Sequence, residues 1–292
     1  MPNLKFACRV LAAFFCLAPL GFAALDPAAF KAAVELYQQR KQPEAQKAFE
    51  ALAAADPQNA DIQFYLGRIA LQRGIPEMAV AALEKAVALS PNDSRFHHRL
   101  GDAYGRSAQK AGVFSKMGLA GKCRTAYEKA VELDPKNLDA RSSLMNYYQQ
   151  APGIAGGSKD KALGQAQEIK KLDAARGRQA LASVYAADKK YDLAFAEYEE
   201  VLKATPNDYA ALFQTGRLAA NSGERLDHGL TVLRQCLTMP PPEGQPGHAA
   251  AHWRIGFILE KKGDKAGARA AYEASLKLDP KFSQAIESLK KL

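Results

Sequence analysis

The chain has 292 residues, 48% of them hydrophobic and 24% charged, a composition that excludes an intrinsically disordered chain. Its formal charge is +9. The charges are scattered, with no long basic run, which argues for a soluble basic surface and against a nucleic-acid or membrane-binding tract. Ala is abundant while Val, Ile and Thr are sparse; Ala loses no side-chain entropy in a helix and β-branched residues lose χ1 freedom there, so helix is favoured over strand.

Residues 1–23 read as a secretory signal. Lys5 and Arg9 form a short basic start, Val10 to Leu20 is an apolar run, Pro19 bends the chain, and Gly21-Phe22-Ala23 sets small residues at the positions a signal peptidase reads. Cleavage is expected after Ala23, leaving a single domain over 24–292 in an exported, periplasmic protein. The apolar run is too short to cross ~30 Å of hydrocarbon comfortably, and Ala13-Phe14-Phe15 before Cys16 is a poor lipoprotein signal. Loss of Lys5 and Arg9 leaves 38 basic and 31 acidic residues, a charge of +7. Cys8 and Cys16 leave with the signal.

The rest of the chain is repetitive. Residues 26–59 carry Leu36, Ala45, Phe49 and Pro57; residues 60–93 carry Leu66-Gly67, Ala70, Gly74, Ala79, Leu83, Ala86 and Pro91. In 94–137 the same offsets give Leu100-Gly101, Tyr104, Cys123, Tyr127, Ala130 and Pro135. Residues 138–174 are the weakest copy: Leu144, Tyr148, Ala162 and Ala166, with Ala174 where proline belongs. Residues 175–208 give Leu181-Ala182, Tyr185, Ala194, Tyr198, Val201 and Pro206; residues 209–248 give Gly216, Ala219, Gly223, Gly229, Leu233, Cys236 and Pro241. Residues 249–282 give Ile255-Gly256, Leu259, Gly263, Ala268, Tyr272 and Pro280, and 281–292 form a closing helix.

These offsets resemble the 34-residue tetratricopeptide repeat, an L-G-x2-Y block followed by A-x3-F and P. The resemblance implies an all-α, right-handed superhelical solenoid of about seven helix pairs with a C-terminal capping helix. The physics agrees: Gly67, Gly101, Gly216 and Gly256 let paired helices approach, Leu83, Tyr127, Tyr198 and Tyr272 fill the space between them, and no pair buries its apolar face alone. Cys123 and Cys236, separated by several helices packed ~8–10 Å apart, are expected as buried free thiols.

Two copies are too long. Tyr104 to Cys123 exceeds the repeat by ten residues and Tyr148 to Ala162 by five. The extra segments, 111–121 and 151–158, are expected as loops that meet on one edge of the solenoid. They would expose an apolar patch of Val113, Phe114, Met117, Leu119 and Ile154 beside Lys159. Both resemble features of a group of exported bacterial repeat proteins, which implies no particular activity. Gly156-Gly157-Ser158-Lys159 lacks the order of a phosphate loop and no strand precedes it, so a structural turn capped by Ser158 is expected.

By the same resemblance a concave groove is lined by first helices. Its expected residues are Phe64, Arg68, Gln72, Arg95, His98, Asp102, Arg106, Asn146, Gln149, Gln150, Arg176 and Gln179, turning aromatic at Phe213, Trp253 and Phe257. The family's carboxylate clamp needs Lys and Asn at positions five and nine of one first helix; Phe64 and Arg68, His98 and Asp102, and Gln179 and Ser183 stand there instead. His248 and His252 share a helix face, but no Asp, Glu or Cys completes a metal site, and no catalytic or nucleotide motif is present. The reading is therefore a non-catalytic scaffold with no cofactor and no metal. It presents the groove to a protein or peptide partner in the cell envelope. The alternatives are a small-molecule or lipid carrier that uses the insertions, and an inner face without a fixed ligand.

Overall fold

Six of the seven first helices of the repeats start with one device, an Asp or Asn whose side chain accepts a hydrogen bond from a backbone amide in the first turn. Asp26, Asn59, Asp93, Asn137, Asp173 and Asp208 each do so, which satisfies one of the donors a helix start leaves unpaired. These residues open the first helices of the repeats. A computed structural model of the protein describes residues 26–292 and, among them, contains helices and no strand. The proposed signal segment, residues 1–23, lies outside the described residues.

The pairs follow in chain order: α1 (Pro27–Gln38) with α2 (Gln42–Ala55), α3 (Ala60–Gln72) with α4 (Pro76–Leu89), and α5 (Ser94–Lys110) with α6 (Val113–Leu133). Then come α7 (Leu138–Gln150) with α8 (Lys159–Leu172), α9 (Ala174–Ala187) with α10 (Tyr191–Ala204), and α11 (Tyr209–Ser222) with α12 (Leu226–Cys236). The last pair is α13 (His248–Lys261) with α14 (Lys265–Leu278), closed by α15 (Ser283–Lys291). Each helix packs on its chain neighbours, and first helices also touch one another, α3 on α5, α5 on α7, α7 on α9 and α11 on α13. That is the stacking of a solenoid, in which each repeat meets only adjacent ones.

The glycines named from the sequence sit where the two helices of a pair approach closely. A Cβ on Gly256 would lie 2.5 Å from Cε1 of Tyr272, and one on Gly67 or Gly216 would collide with Leu83 or Leu233. The fourth pair, which lacks the proline, uses another device. Asp173 both ends α8 and caps α9, and Gly177 lies so close to the Lys170 backbone that any side chain would strike it.

The expected loop at 111–121 is not a loop. Only Ala111 and Gly112 separate α5 from α6, and the ten extra residues lengthen the helices, to 17 residues in α5 and 21 in α6. The physical reason is that the segment has no proline and the two of its glycines that fall inside α6, Gly118 and Gly121, cost only about 1 kcal/mol each in a helix interior, less than an unpaired loop would forgo in backbone hydrogen bonds. The second insertion is a true turn: Gly153–Ala155 form one 3-10 turn and Ser158 caps α8, accepting from the Lys161 amide at 3.3 Å.

Candidate functional site

The concave face carries two clefts built by consecutive first helices. The first, about 180 Å³, is lined by Tyr37 of α1, Arg68, Leu71 and Gln72 of α3, and Arg99, Asp102 and Arg106 of α5. The Arg68 guanidinium sits 4.6 Å over the Tyr37 ring, and Gln72 Nε2 donates to the Tyr37 hydroxyl at 2.8 Å. Asp102 is fully engaged, accepting from Arg99 Nη1 and from the Tyr127 hydroxyl, each at 2.8 Å. Arg106 reaches only the Leu71 carbonyl, at 3.4 Å. Among the described residues neither Arg68 nor Arg106 has a carboxylate within ion-pair distance, so the cleft keeps an excess of positive charge.

The second cleft, about 290 Å³, gathers Gln149 of α7, Ser183 of α9, and Gln214, Arg217 and Asn221 of α11. Gln149 Nε2 donates to the Ser183 carbonyl at 3.0 Å. From α13, Arg254 Nη1 donates to Asn221 Oδ1 at 2.8 Å, while its guanidinium lies 4.1 Å over the Trp253 ring. Burial, aided by the neighbouring Arg217 charge, lowers the Arg254 pKa to about 10. Arg254 thus remains a cation at neutral pH, but an uncomfortable one.

A third cleft, about 410 Å³, runs beside the insertions and is lined by Lys116, Ala120 and Cys123 of α6, Asn146 and Tyr147 of α7, and Pro152 and Ala155. The two extra segments therefore do share one edge, where α6 contacts the 3-10 turn and Arg124 packs over Gly156. The close approach is made by Arg124, while Lys116 and Ala120 line the cleft together with Pro152 and Ala155. Met117 is 40% exposed, Val113 79% and Ile154 86%, and Leu119 packs on the core. Lys159 is held in an ion pair with Asp188; Lys159 and Lys190 together lower the Asp188 pKa to about 2.

His98 and Ser143 invite a catalytic reading that the geometry defeats. His98 Nε2 lies 3.0 Å from Ser143 Oγ, and Asp102 Oδ1 lies 3.9 Å from that same nitrogen. A Ser-His-Asp relay needs the carboxylate on the opposite ring nitrogen. Burial also lowers the His98 pKa. Cys123 and Cys236 are buried free thiols, each pushed up by burial to about 12. His248 Nε2 contacts the Met239 carbonyl at 2.7 Å, and no group of three or more metal-ligating side chains occurs among the described residues.

Family models for the tetratricopeptide repeat match residues 30–94, 108–137, 175–208 and 249–291, together more than half of the chain. The chain belongs to the tetratricopeptide repeat family. Its fold is similar to that of a tetratricopeptide repeat protein from Parabacteroides merdae (TM-score 0.66, 14% identity, covering 90% of this chain and 96% of that one). It also resembles PilF of Pseudomonas aeruginosa (TM-score 0.54, 18% identity, 80% and 97% covered) and a thermophilic tetratricopeptide repeat protein of Thermus thermophilus (TM-score 0.53, 21% identity, 65% and 97% covered). No curated protein matches the chain. Tetratricopeptide repeats are protein-interaction scaffolds that bind protein or peptide partners, and the fold is typically non-catalytic. No helix among the described residues is long and apolar enough to cross a membrane.

The tetratricopeptide register explains which expected groove residues meet and which do not. Arg68, Gln72, Asp102 and Arg106 share the first cleft, and Gln149 lines the second. Phe64 and His98, expected at the groove surface, are buried; Phe64 packs 4.9 Å from Phe96. Phe213 is buried as well, so the aromatic end of the groove reduces to the half-buried Trp253 and Phe257. Arg95 is tied to Asp93 and Asp61, Arg176 to Asp139, and Asn146 and Gln150 line the insertion cleft. Gln179 is half-buried and lines none of the three clefts. The sequence reading missed Arg99, Arg217, Asn221 and Arg254. Arg217 and Asn221 occupy groove positions nine and thirteen of the sixth repeat. Arg99 and Arg254 both stand at position six, one helical turn before position nine and therefore on the same stripe.

Proposed function

We propose that the protein is an exported, periplasmic scaffold that holds a protein or peptide partner along its concave face as part of a cell-envelope assembly. The observation that carries this reading is the pair of open, polar clefts made by consecutive first helices, whose arginine and amide side chains point to a ligand that spans several repeats. The signal-like start of the sequence supports export. A carrier of small molecules needs an enclosed apolar cavity, whereas the cleft beside the insertions is open and leaves Val113 and Ile154 in solvent.

The test uses the chain from Ala24 to Leu292 as bait in envelope extract. Gln149→Ala with Gln214→Ala, both in the second cleft, is expected to reduce capture, and replacement of 111–121 by the short turn of the second repeat to leave it intact. The opposite result moves the site to the insertion. N-terminal sequencing of the protein recovered from the periplasm is expected to start at Ala24, and an intact Met1 would overturn export.

A further inference from the structure

Positions six, nine and thirteen of each repeat form one stripe down the first helix, because residues three and four apart share a helix face. Read across the repeats, the stripe changes character in blocks. The second and third repeats give Tyr65, Arg68 and Gln72, then Arg99, Asp102 and Arg106. The fourth and fifth give Ser143, Asn146 and Gln150, then Ala180, Ser183 and Ala187, with no charge at all. The sixth and seventh give Gln214, Arg217 and Asn221, then Arg254, Phe257 and Lys261, with no acid. Basic, neutral, basic is the order along the groove.

Resting on the concave face as the partner surface, we propose that the groove takes an extended polypeptide segment with acidic residues at both ends and a neutral stretch between. One end seats at Arg68 and Arg106 and the other at Arg217 and Arg254. Both arginine sites lack what a folded protein ordinarily supplies. Among the described residues none of the four guanidiniums is in an ion pair; at the second site Arg217 lines a cleft whose walls hold amides, hydroxyls and apolar groups but no carboxylate, and Arg254 borders it through Asn221, close enough for the two cations to repel. Like charges that are partly desolvated repel, and a carboxylate placed between them relieves both the repulsion and the lost hydration. Guanidinium is also the group best matched to carboxylate, by two parallel hydrogen bonds. The neutral middle supplies amides and hydroxyls, which suit a peptide backbone.

The spacing sets the ligand length. From α5 to α11 are three steps between first helices of roughly 8–10 Å each, about 25–30 Å. An extended chain at about 3.3 Å per residue spans that in roughly eight residues. A small anion or a lipid headgroup would need only one of the two sites.

Trp253 is the only tryptophan of the chain and lies against Arg254, so its fluorescence reports the second site directly. The probe is a synthetic peptide of two glutamates, eight Gly/Ser residues and two glutamates, added to the protein from Ala24 to Leu292. A saturable, salt-sensitive change in Trp253 emission is expected, with an affinity matched by calorimetry. Arg68→Ala with Arg106→Ala should weaken affinity about tenfold or more, the scale of losing charge-assisted hydrogen bonds, yet keep the emission change at saturation. Arg217→Ala with Arg254→Ala should remove the emission change and weaken calorimetric binding similarly, with the helical signal unaltered. A Gln-for-Glu peptide should not bind, and a two-residue spacer should bind no better than a single Glu-Glu dipeptide end. Equal binding by the Gln peptide or the short-spacer peptide overturns the proposal. So does an equal emission change with inorganic phosphate or with anionic phosphatidylglycerol vesicles. Envelope capture that depends on Gln149 and Gln214 but survives loss of all four arginines also overturns it, while leaving the groove as the partner surface.

Discussion

A Cβ built on Gly101 would stand 2.5 Å from Cδ1 and Cε1 of Tyr127. The ring cannot swing aside freely, because its hydroxyl is anchored on Asp102 at 2.8 Å and the side chain is buried. Gly101→Ala is therefore expected to destabilise the protein by about 1–3 kcal/mol through overpacking, and Gly101→Leu by more. Thermal unfolding with circular dichroism checks this. An unchanged midpoint in both variants would mean that α5 and α6 do not pack in this register.

The same long helix predicts the opposite sign elsewhere. Nothing lies within 4 Å of a Cβ at Gly118 or Gly121, and both sit inside α6. Ala at either site relieves the backbone entropy cost of glycine in a helix without meeting a neighbour, so each substitution should stabilise by roughly 0.5–1 kcal/mol. If both variants lose stability, the segment is not helical in solution.

The contrast between these glycines marks what the sequence could and could not disclose. Gly67, Gly101, Gly216 and Gly256 recur at one offset, so the pattern alone identifies close helix approaches and with them the solenoid. Gly177 is silent, since it replaces the missing proline of the fourth repeat with a different local solution, used once in the chain. The 111–121 segment misleads because its glycines look like loop residues when counted, whereas their cost is small against the backbone hydrogen bonding of a long helix. Arg68, Arg106 and Arg217 of the basic groove are legible, since they fall on known lining positions, although the sequence reading names only the first two. Arg99 and Arg254 are not, because membership of the stripe follows from helix geometry at position six rather than from the consensus pattern.

Burial raises both thiols to about 12, so at neutral pH neither carries appreciable thiolate, the species that reacts. Cys123 and Cys236 are expected to label with iodoacetamide far more slowly in the native protein than in urea, by roughly two orders of magnitude. Mass spectrometry should find both thiols free in the folded protein. Rapid native labelling of Cys123 would show that the insertion cleft opens to the level of α6.

The buried imidazole gives a pH signature with a definite sign. His98 bridges α5 to Ser143 of α7 at 3.0 Å. Burial is the largest influence on it and, with Arg99, lowers its pKa below the ordinary 6.5, against the smaller upward pull of Asp102 and Asp139. The unfolded chain then binds a proton at a higher pH than the folded one. Its contribution to stability is complete above pH 6.5 and is lost as pH falls through the folded pKa. The unfolding midpoint should therefore drop between about pH 7 and pH 5, a window that lies above the titration of Asp93 and Asp139, whose folded pKa values are themselves lowered. His252 is lowered too, by burial and by His248, so it contributes in the same direction. His98→Gln keeps a hydrogen-bonding group near Ser143 but cannot titrate. That variant should show a visibly shallower fall over the same window, retaining the His252 share. Parallel curves for the two proteins would mean that His98 is solvated in the native state and that α5 and α7 are not joined through it.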